Sequence, residues 1–355
     1  MVPQPGLPRR YSLALPSLTL IVAKMGSKSE FETGLQALFT RVFGQDHALE
    51  TFKRLSGGAS QETWALAGSD KSTILRRAPG GGSEARSSAA IGLPAEAKLI
   101  QAAAKAGVPV PDVFHVLDDT DGIGDGFLMS HVLGETIARP ILRNDEFAPA
   151  RAVLAKQCGS ALGAIHSIPT QGLPPELQTS DGLSQIEKYE EIYRAFDAPR
   201  PVFELTLQWL KANAPEPRPS VLVHGDFRLG NLMVDETGLV AVLDWELAHL
   251  GDPREDIAWL CVNSWRFGQS QNRVGGFGQL DDLLTAYNQH TGSAIAPGEI
   301  DWWEMLGSLK WGVMCMIMYE AFRSGADASV ERAAIGRRVS ETEIDLINLL
   351  EAAHA

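Results

Sequence analysis

The chain has 355 residues, enough for two domains or one two-lobed unit at about 150 residues per domain. Its 45% hydrophobic and 21% charged content is that of an ordinary globular protein and excludes a disordered chain, a fibre and a coiled coil. Lys and Arg number 31 against 44 acidic residues, a net charge of −13. That balance argues against nucleic acid as a partner, because such binding rests on cations that neutralise phosphates.

In chain order, Arg9 and Arg10 precede an apolar run, Tyr11 to Ala23, that loosely resembles a signal peptide. Pro16, Ser17 and Thr19 interrupt it, Ala23-Lys24-Met25 is a poor cleavage site, and the run is too short to span a bilayer. Residues 1–24 are read as a disordered extension, or as the result of a start codon placed too early, with Met25 the true start. The protein is read as cytoplasmic, with no membrane partner. Cys158, Cys261 and Cys315 match no metal or redox spacing and read as buried thiols.

Helical spacing of Leu35, Leu38, Phe39 and Phe43 predicts a helix over Glu30 to Phe43. Strands follow over Thr51 to Leu55, Glu62 to Leu66 and Ser72 to Arg77, the first two joined by Ser56-Gly57-Gly58-Ala59-Ser60. A Gly-rich stretch leads to a helix over Pro94 to Ala106, ended by Gly107, and two further strands cover Val113 to Leu117 and Gly126 to Val132. After Gly134 helices predominate: Phe147 to Ile168, Gln185 to Ala195, Val202 to Ala212, Ile300 to Ser324 and Ser329 to Ala353. A β-rich interruption, Ser220 to Glu246, lies within this helical half. The expectation is an α+β, protein kinase-like two-lobed fold. A small β-rich N-terminal lobe spans 25–132, a hinge lies at about 129–134, and a larger, mainly helical lobe spans 133–355.

The chemistry concentrates in residues 221–256, VLVHGDFRLGNLMVDETGLVAVLDWELAHLGDPRED. An apolar strand runs into His224-Gly225-Asp226, and Asn231 follows five residues after the aspartate, the spacing of a kinase catalytic loop. Phosphoryl transfer needs a carboxylate to accept the substrate hydroxyl proton and oxygen ligands to hold Mg²⁺ on the triphosphate. Strand-like Leu232 to Val234 and Leu239 to Leu243 flank Glu236-Thr237-Gly238. A turn centred between Thr237 and Gly238 places Asn231 directly opposite Asp244, with Cβ atoms about 5 Å apart. A three-residue loop shifts that register by one.

These pieces give a specific resemblance. HGDFRLGN, LDWE and GDPREDIA, in that order and spacing, resemble the aminoglycoside phosphotransferase family. That family is itself similar to choline kinases and to the kinase-like domains fused to some acyl-CoA dehydrogenases. Upstream, LSGGASQETW resembles its nucleotide loop, ILRRAP its third strand, AEAKLIQAAAKAGVPVP its glutamate-bearing helix and FLMSHVLGET its hinge. The resemblance covers roughly residues 35–350.

It implies Asp226 as the catalytic base, assisted by Asn231, with Asn231 and Asp244 as the Mg²⁺ ligands. His224, Asp252 and Asp256 are expected to be structural. It also implies nucleotide contacts from Gly57, Gly58 and Ser60, a hinge at Met129 and His131, and Glu96 as the partner of the third-strand cation. One departure stands out. The family usually has lysine at the phosphate-binding position of that strand, and Arg76, with Arg77 beside it, falls there. Neighbouring strand residues face opposite sides, so one of the two points inward, and Arg76 aligns better.

The leading reading is an ATP-dependent O-phosphotransferase acting with Mg²⁺ on a small hydroxylated molecule, with GTP left open as donor. An aminoglycoside pocket gathers carboxylates, and only Glu341, Glu343 and Asp345 offer themselves, on one helix. Six of the eight Trp residues lie in or after the catalytic stretch, which favours a non-antibiotic metabolite as acceptor. A catalytically weak nucleotide-binding protein is the alternative, and a metallohydrolase built on His224, Asp226, Asp244 and His249 is a third reading. A monomer or a homodimer is expected.

Overall fold

A computed structural model describes residues 29–55, 61–82 and 90–354. Helix α1 (Glu30–Phe43) opens on a capping box, in which Ser29 and Glu32 satisfy each other's backbone N–H groups. Strands β1 (Leu49–Arg54), β2 (Glu62–Gly68) and β3 (Ser72–Arg77) follow. With β4 (Val113–Val116) and β5 (Gly126–Ser130) they form an antiparallel sheet in the order β1-β2-β3-β5-β4. Helix α2 (Leu93–Lys105), with Pro94 in its first turn, buries Ala95, Glu96, Leu99 and Ile100. On the other face of the sheet, Leu35, Leu38 and Phe39 of α1 close a small core with Leu66, Leu75 and Leu128. Inward and outward residues alternate along a strand, and this sandwiching gives Arg76 and Arg77 opposite surroundings.

The remainder is mainly helical: α3 (Ala138–Arg143), α4 (Ala148–His166), α5 (Gly182–Arg194), α6 (Pro201–Ala212), α7 (Arg254–Cys261), α8 (Leu280–Thr291), α9 (Gly298–Arg323), α10 (Val330–Gly336) and α11 (Val339–His354). Helix α9 is its axle, buried on nearly every side over Ile300 to Met316. Two short antiparallel pairs sit among the helices: β6 (Val221–Val223) with β9 (His249–Gly251), and β7 (Leu232–Asp235) with β8 (Gly238–Val242). No helix among the described residues is long and apolar enough to cross a membrane.

Several elements differ from the sequence expectation, which contains neither α3 nor α7. The helix expected over 329–353 is two helices, α10 and α11, parted at Arg337 and Arg338. Strand pairing in the helical half continues beyond Glu246 to Gly251, where β9 supports β6. Helix α8 was not anticipated, although Leu280, Leu283, Leu284 and Tyr287 carry helical spacing and are buried.

Candidate active site

Strand β6 delivers His224-Gly225-Asp226 to the cleft between sheet and helices. The turn is pinned from below by Asp256, on the first turn of α7, whose carboxylate accepts the backbone N–H groups of His224 at 2.7 Å and Gly225 at 2.9 Å. His166 reaches the same carboxylate at 3.2 Å and Tyr287 at 3.0 Å, so its ring is fully occupied by packing partners. Burial pushes the Asp256 carboxyl up, but these bonds and the nearby imidazoles outweigh it and hold the group below the usual carboxylate range. Gly225 has φ +81°, and a Cβ there would lie 2.4 Å from the Leu247 carbonyl oxygen, so only glycine fits.

His224 is wholly buried. Its Nε2 lies 3.1 Å from the Leu243 carbonyl, which can only accept, so Nε2 carries the proton. Nδ1 then accepts the Asp226 N–H at 3.3 Å. Burial lowers its pKa, which keeps the ring neutral in this role. The Asp226 carboxylate is held on both oxygens. Oδ1 accepts from Trp259 Nε1 at 2.7 Å and Arg228 Nε at 2.9 Å, and Oδ2 accepts from Asn231 Nδ2 at 2.6 Å. Asn231 Nδ2 also donates to the Asp226 carbonyl at 2.9 Å. Both of these bonds use the amide nitrogen, which leaves Oδ1 of Asn231 as its metal-capable atom.

The hairpin register corrects the sequence expectation. Leu232 pairs with Val242, and Leu243 N–H donates to the Asn231 carbonyl, so Asn231 faces Leu243 rather than Asp244. Asp235 causes the shift: its Oδ1 accepts the N–H groups of Thr237 at 2.7 Å and Gly238 at 3.1 Å, which draws the turn back to Glu236-Thr237. A bulge between Met233 and Val234 then returns one residue of the slip. Asp244 follows with φ +65°, a left-handed conformation rare for a non-glycine residue. Even so, Asn231 and Asp244 line the same cleft.

Arg76 joins the two halves of that cleft. Its Nη1 lies 3.2 Å from Glu96 Oε1 on α2, and its Nη2 lies 2.9 Å from Asp244 Oδ1. Gln61 Oε1 accepts from Nε at 2.9 Å and Nη2 at 2.7 Å, while Gln61 Nε2 donates to Glu246 Oε2 at 3.1 Å. Arg77 points to the opposite face, where it bonds Glu62 at 2.9 Å and lies over the Phe31 ring at 4.1 Å. Burial pushes Glu96 up to about 7; Arg76 opposes this, but Asp244 and Glu246 add to it. Glu96 Oε2 is buried without a partner among the described residues. One guanidinium thus meets two carboxylates directly and a third, Glu246, through Gln61, and this concentration of acidic groups in the cleft that Asn231 lines fits a hard cation with oxygen ligands.

The cleft, about 420 Å³, is roofed by Leu55 and Ile74, floored by Met233 and Leu243, and edged by Met129 and Val132. His131 lies at its rim with Nδ1 2.8 Å from Ser72 Oγ. Gly57, Gly58 and Ser60 lie outside the described residues. Asp252 is spent on Arg254, at 2.9 and 2.6 Å. His249 faces Glu255 at 3.0 Å and the Leu247 carbonyl at 3.0 Å, so the four metallohydrolase candidates do not converge. The three acidic candidates of α11 are each paired within the protein: Glu341 with Arg338, Glu343 with Arg200, Asp345 with Asn263. Trp245, Trp259, Trp265, Trp302, Trp303 and Trp311 are all buried, and Trp259 alone touches Asp226 among them. Gln61, Arg228 and Trp259 are not among the sequence-predicted site residues: Gln61 and Trp259 act across 15 and 33 residues, where no local spacing announces the contact, whereas Arg228 lies two residues from Asp226 and that spacing could have found it.

The chain is 33% identical over 212 residues to acyl-CoA dehydrogenase family member 10 of Mus musculus, covering 58% of this chain and 20% of that protein. It therefore spans about a fifth of that relative's length. A putative aminoglycoside phosphotransferase from Ralstonia eutropha superposes with a TM-score of 0.70 at 22% identity, covering 90% of this chain and 98% of the other. A spectinomycin phosphotransferase in complex with ADP and spectinomycin superposes at 0.60 and 13% identity, covering 89% and 98%. Both share the two-lobed protein kinase-like fold. The model of the phosphotransferase enzyme family (APH) matches residues 51–293, and the chain belongs to that family.

Proposed function

We propose that this protein transfers the γ-phosphoryl group of ATP to a hydroxyl of a small molecule. The observation that carries the reading is Arg76 spanning the cleft between Glu96 and Asp244, beside an Asn231 bonded to Asp226. In this reading Asp226 accepts the proton of the acceptor hydroxyl. Its two oxygens are kept in place by Trp259, Arg228 and Asn231, so the base is oriented before substrate arrives. Arg76 steadies the phosphates, and the apolar rim at Met129 and Val132 receives the base of the nucleotide. Asn231 and Asp244 would hold Mg²⁺, which when bound neutralises the charge of the phosphate oxygens.

The ADP bound to the spectinomycin enzyme supports a nucleotide donor. The acceptor is read as a non-antibiotic metabolite, because Glu341, Glu343 and Asp345 are paired internally rather than gathered for a polycation. A weak, nucleotide-binding role is the second reading, and arginine at position 76, where the family usually has lysine, favours it.

The test is a thermal-shift titration with ATP and GTP, each with and without Mg²⁺, on the wild type and Asp244→Ala. A ligand bound only by the folded state raises the melting temperature. A Mg²⁺-dependent rise lost in the variant is expected. No rise at millimolar nucleotide overturns the proposal, and a rise without turnover of any hydroxylated acceptor favours the second reading.

A further inference from the structure

A guanidinium carries its charge on a planar fork with five N–H donors, so its usefulness to a phosphate depends on the angle of that plane. The two carboxylates around Arg76 each touch one nitrogen, Glu96 at Nη1 and Asp244 at Nη2. Each of these contacts takes one corner of the fork. Gln61 makes a different contact. A single oxygen, Oε1, accepts from both Nε and Nη2, which grips one edge of the fork and fixes its rotation. The amide is aimed in turn, because its Nε2 donates to Glu246. The position follows from the sheet: Thr63 pairs with Arg76 across β2 and β3, and Gln61, two residues earlier, lies on the same face.

We propose that Gln61 is a positioning residue for the nucleotide phosphates, setting the plane of the Arg76 guanidinium. This rests on the phosphotransferase reading and deepens it. Gln61 matters because residue 76 is arginine; the ammonium of a lysine has no plane to set.

The experiment is isothermal titration of ATP with Mg²⁺ into the wild type, Gln61→Met, Arg76→Lys and the double variant, with Gln61→Ala as a second truncation and ligand-free melting temperatures alongside. Loss of a charge-assisted grip on the fork should weaken ATP binding by about tenfold in the Arg76 background. In the Arg76→Lys background the same change should cost less than about twofold, so that the two substitutions are coupled. Equal losses in both backgrounds, or no loss in the first, overturn the proposal while leaving the phosphotransferase reading intact. A wild type that binds no ATP overturns both.

Discussion

The indole Nε1 of Trp259 donates a 2.7 Å hydrogen bond to Oδ1 of Asp226, joining α7 to the loop that follows β6. Trp259 is 4% exposed, so its ring is fixed by the core while its single polar atom is spent on the carboxylate. A buried helix thereby sets the direction of the carboxylate that holds Asn231 at the cleft.

Trp259→Phe keeps the ring and removes that donor. We expect phosphoryl transfer to fall by about tenfold, on the scale of one hydrogen bond to a charged group, with ATP affinity unchanged. Steady-state turnover set beside titration calorimetry checks this; a fall in affinity instead would place Trp259 on the nucleotide side.

Asp226→Asn retains shape and loses the proton acceptor. Turnover should drop by roughly 10² to 10⁴, the range of general-base catalysis, while the Mg²⁺-dependent thermal shift with ATP persists. Turnover within threefold of the wild type would remove Asp226 from the mechanism.

Glu96 gives a pH prediction. Its folded pKa, about 7, lies above its ordinary value of 4.5, so the native state binds the proton more tightly. The resulting stability is fully present below 4.5 and is lost as pH rises through 7. Glu96→Gln should remove a pH-dependent difference of roughly 3 kcal/mol across that window. Urea denaturation of both proteins between pH 4.5 and 8 checks it, and parallel stability profiles would contradict it.

Asp256→Ala should destabilise the protein by about 3 kcal/mol, because it strips two backbone N–H groups and a buried imidazole of their shared acceptor. Chemical denaturation gives the value directly. A change under about 0.5 kcal/mol would show that the His224-Gly225 turn holds itself.

Gly225→Ala combines a φ of +81° with a Cβ placed 2.4 Å from the Leu247 carbonyl oxygen. We expect a loss of about 2 kcal/mol or more and a displaced Asp226. Melting temperature and turnover should fall together.

Contacts between residues near in the chain were legible in the sequence. Asp226 and Asn231 are bonded five residues apart, so their spacing already carried their contact. The same held for Arg76 over Arg77, where strand alternation left one choice and the sheet's two faces made it: one arginine meets Glu96 and Asp244, the other Glu62 and Phe31. The register of Asn231 was misjudged because it depended on one side chain, Asp235, capping the turn one residue early. Spacing cannot show which of several polar residues will satisfy a backbone N–H. The packed fold alone shows that Gln61 grips Arg76, that Trp259 reaches Asp226 across 33 residues, and that Glu341 and Glu343 of α11 are already paired with arginines. Such contacts are chosen by burial, since a polar group removed from water must take whichever partner the packed core brings within reach.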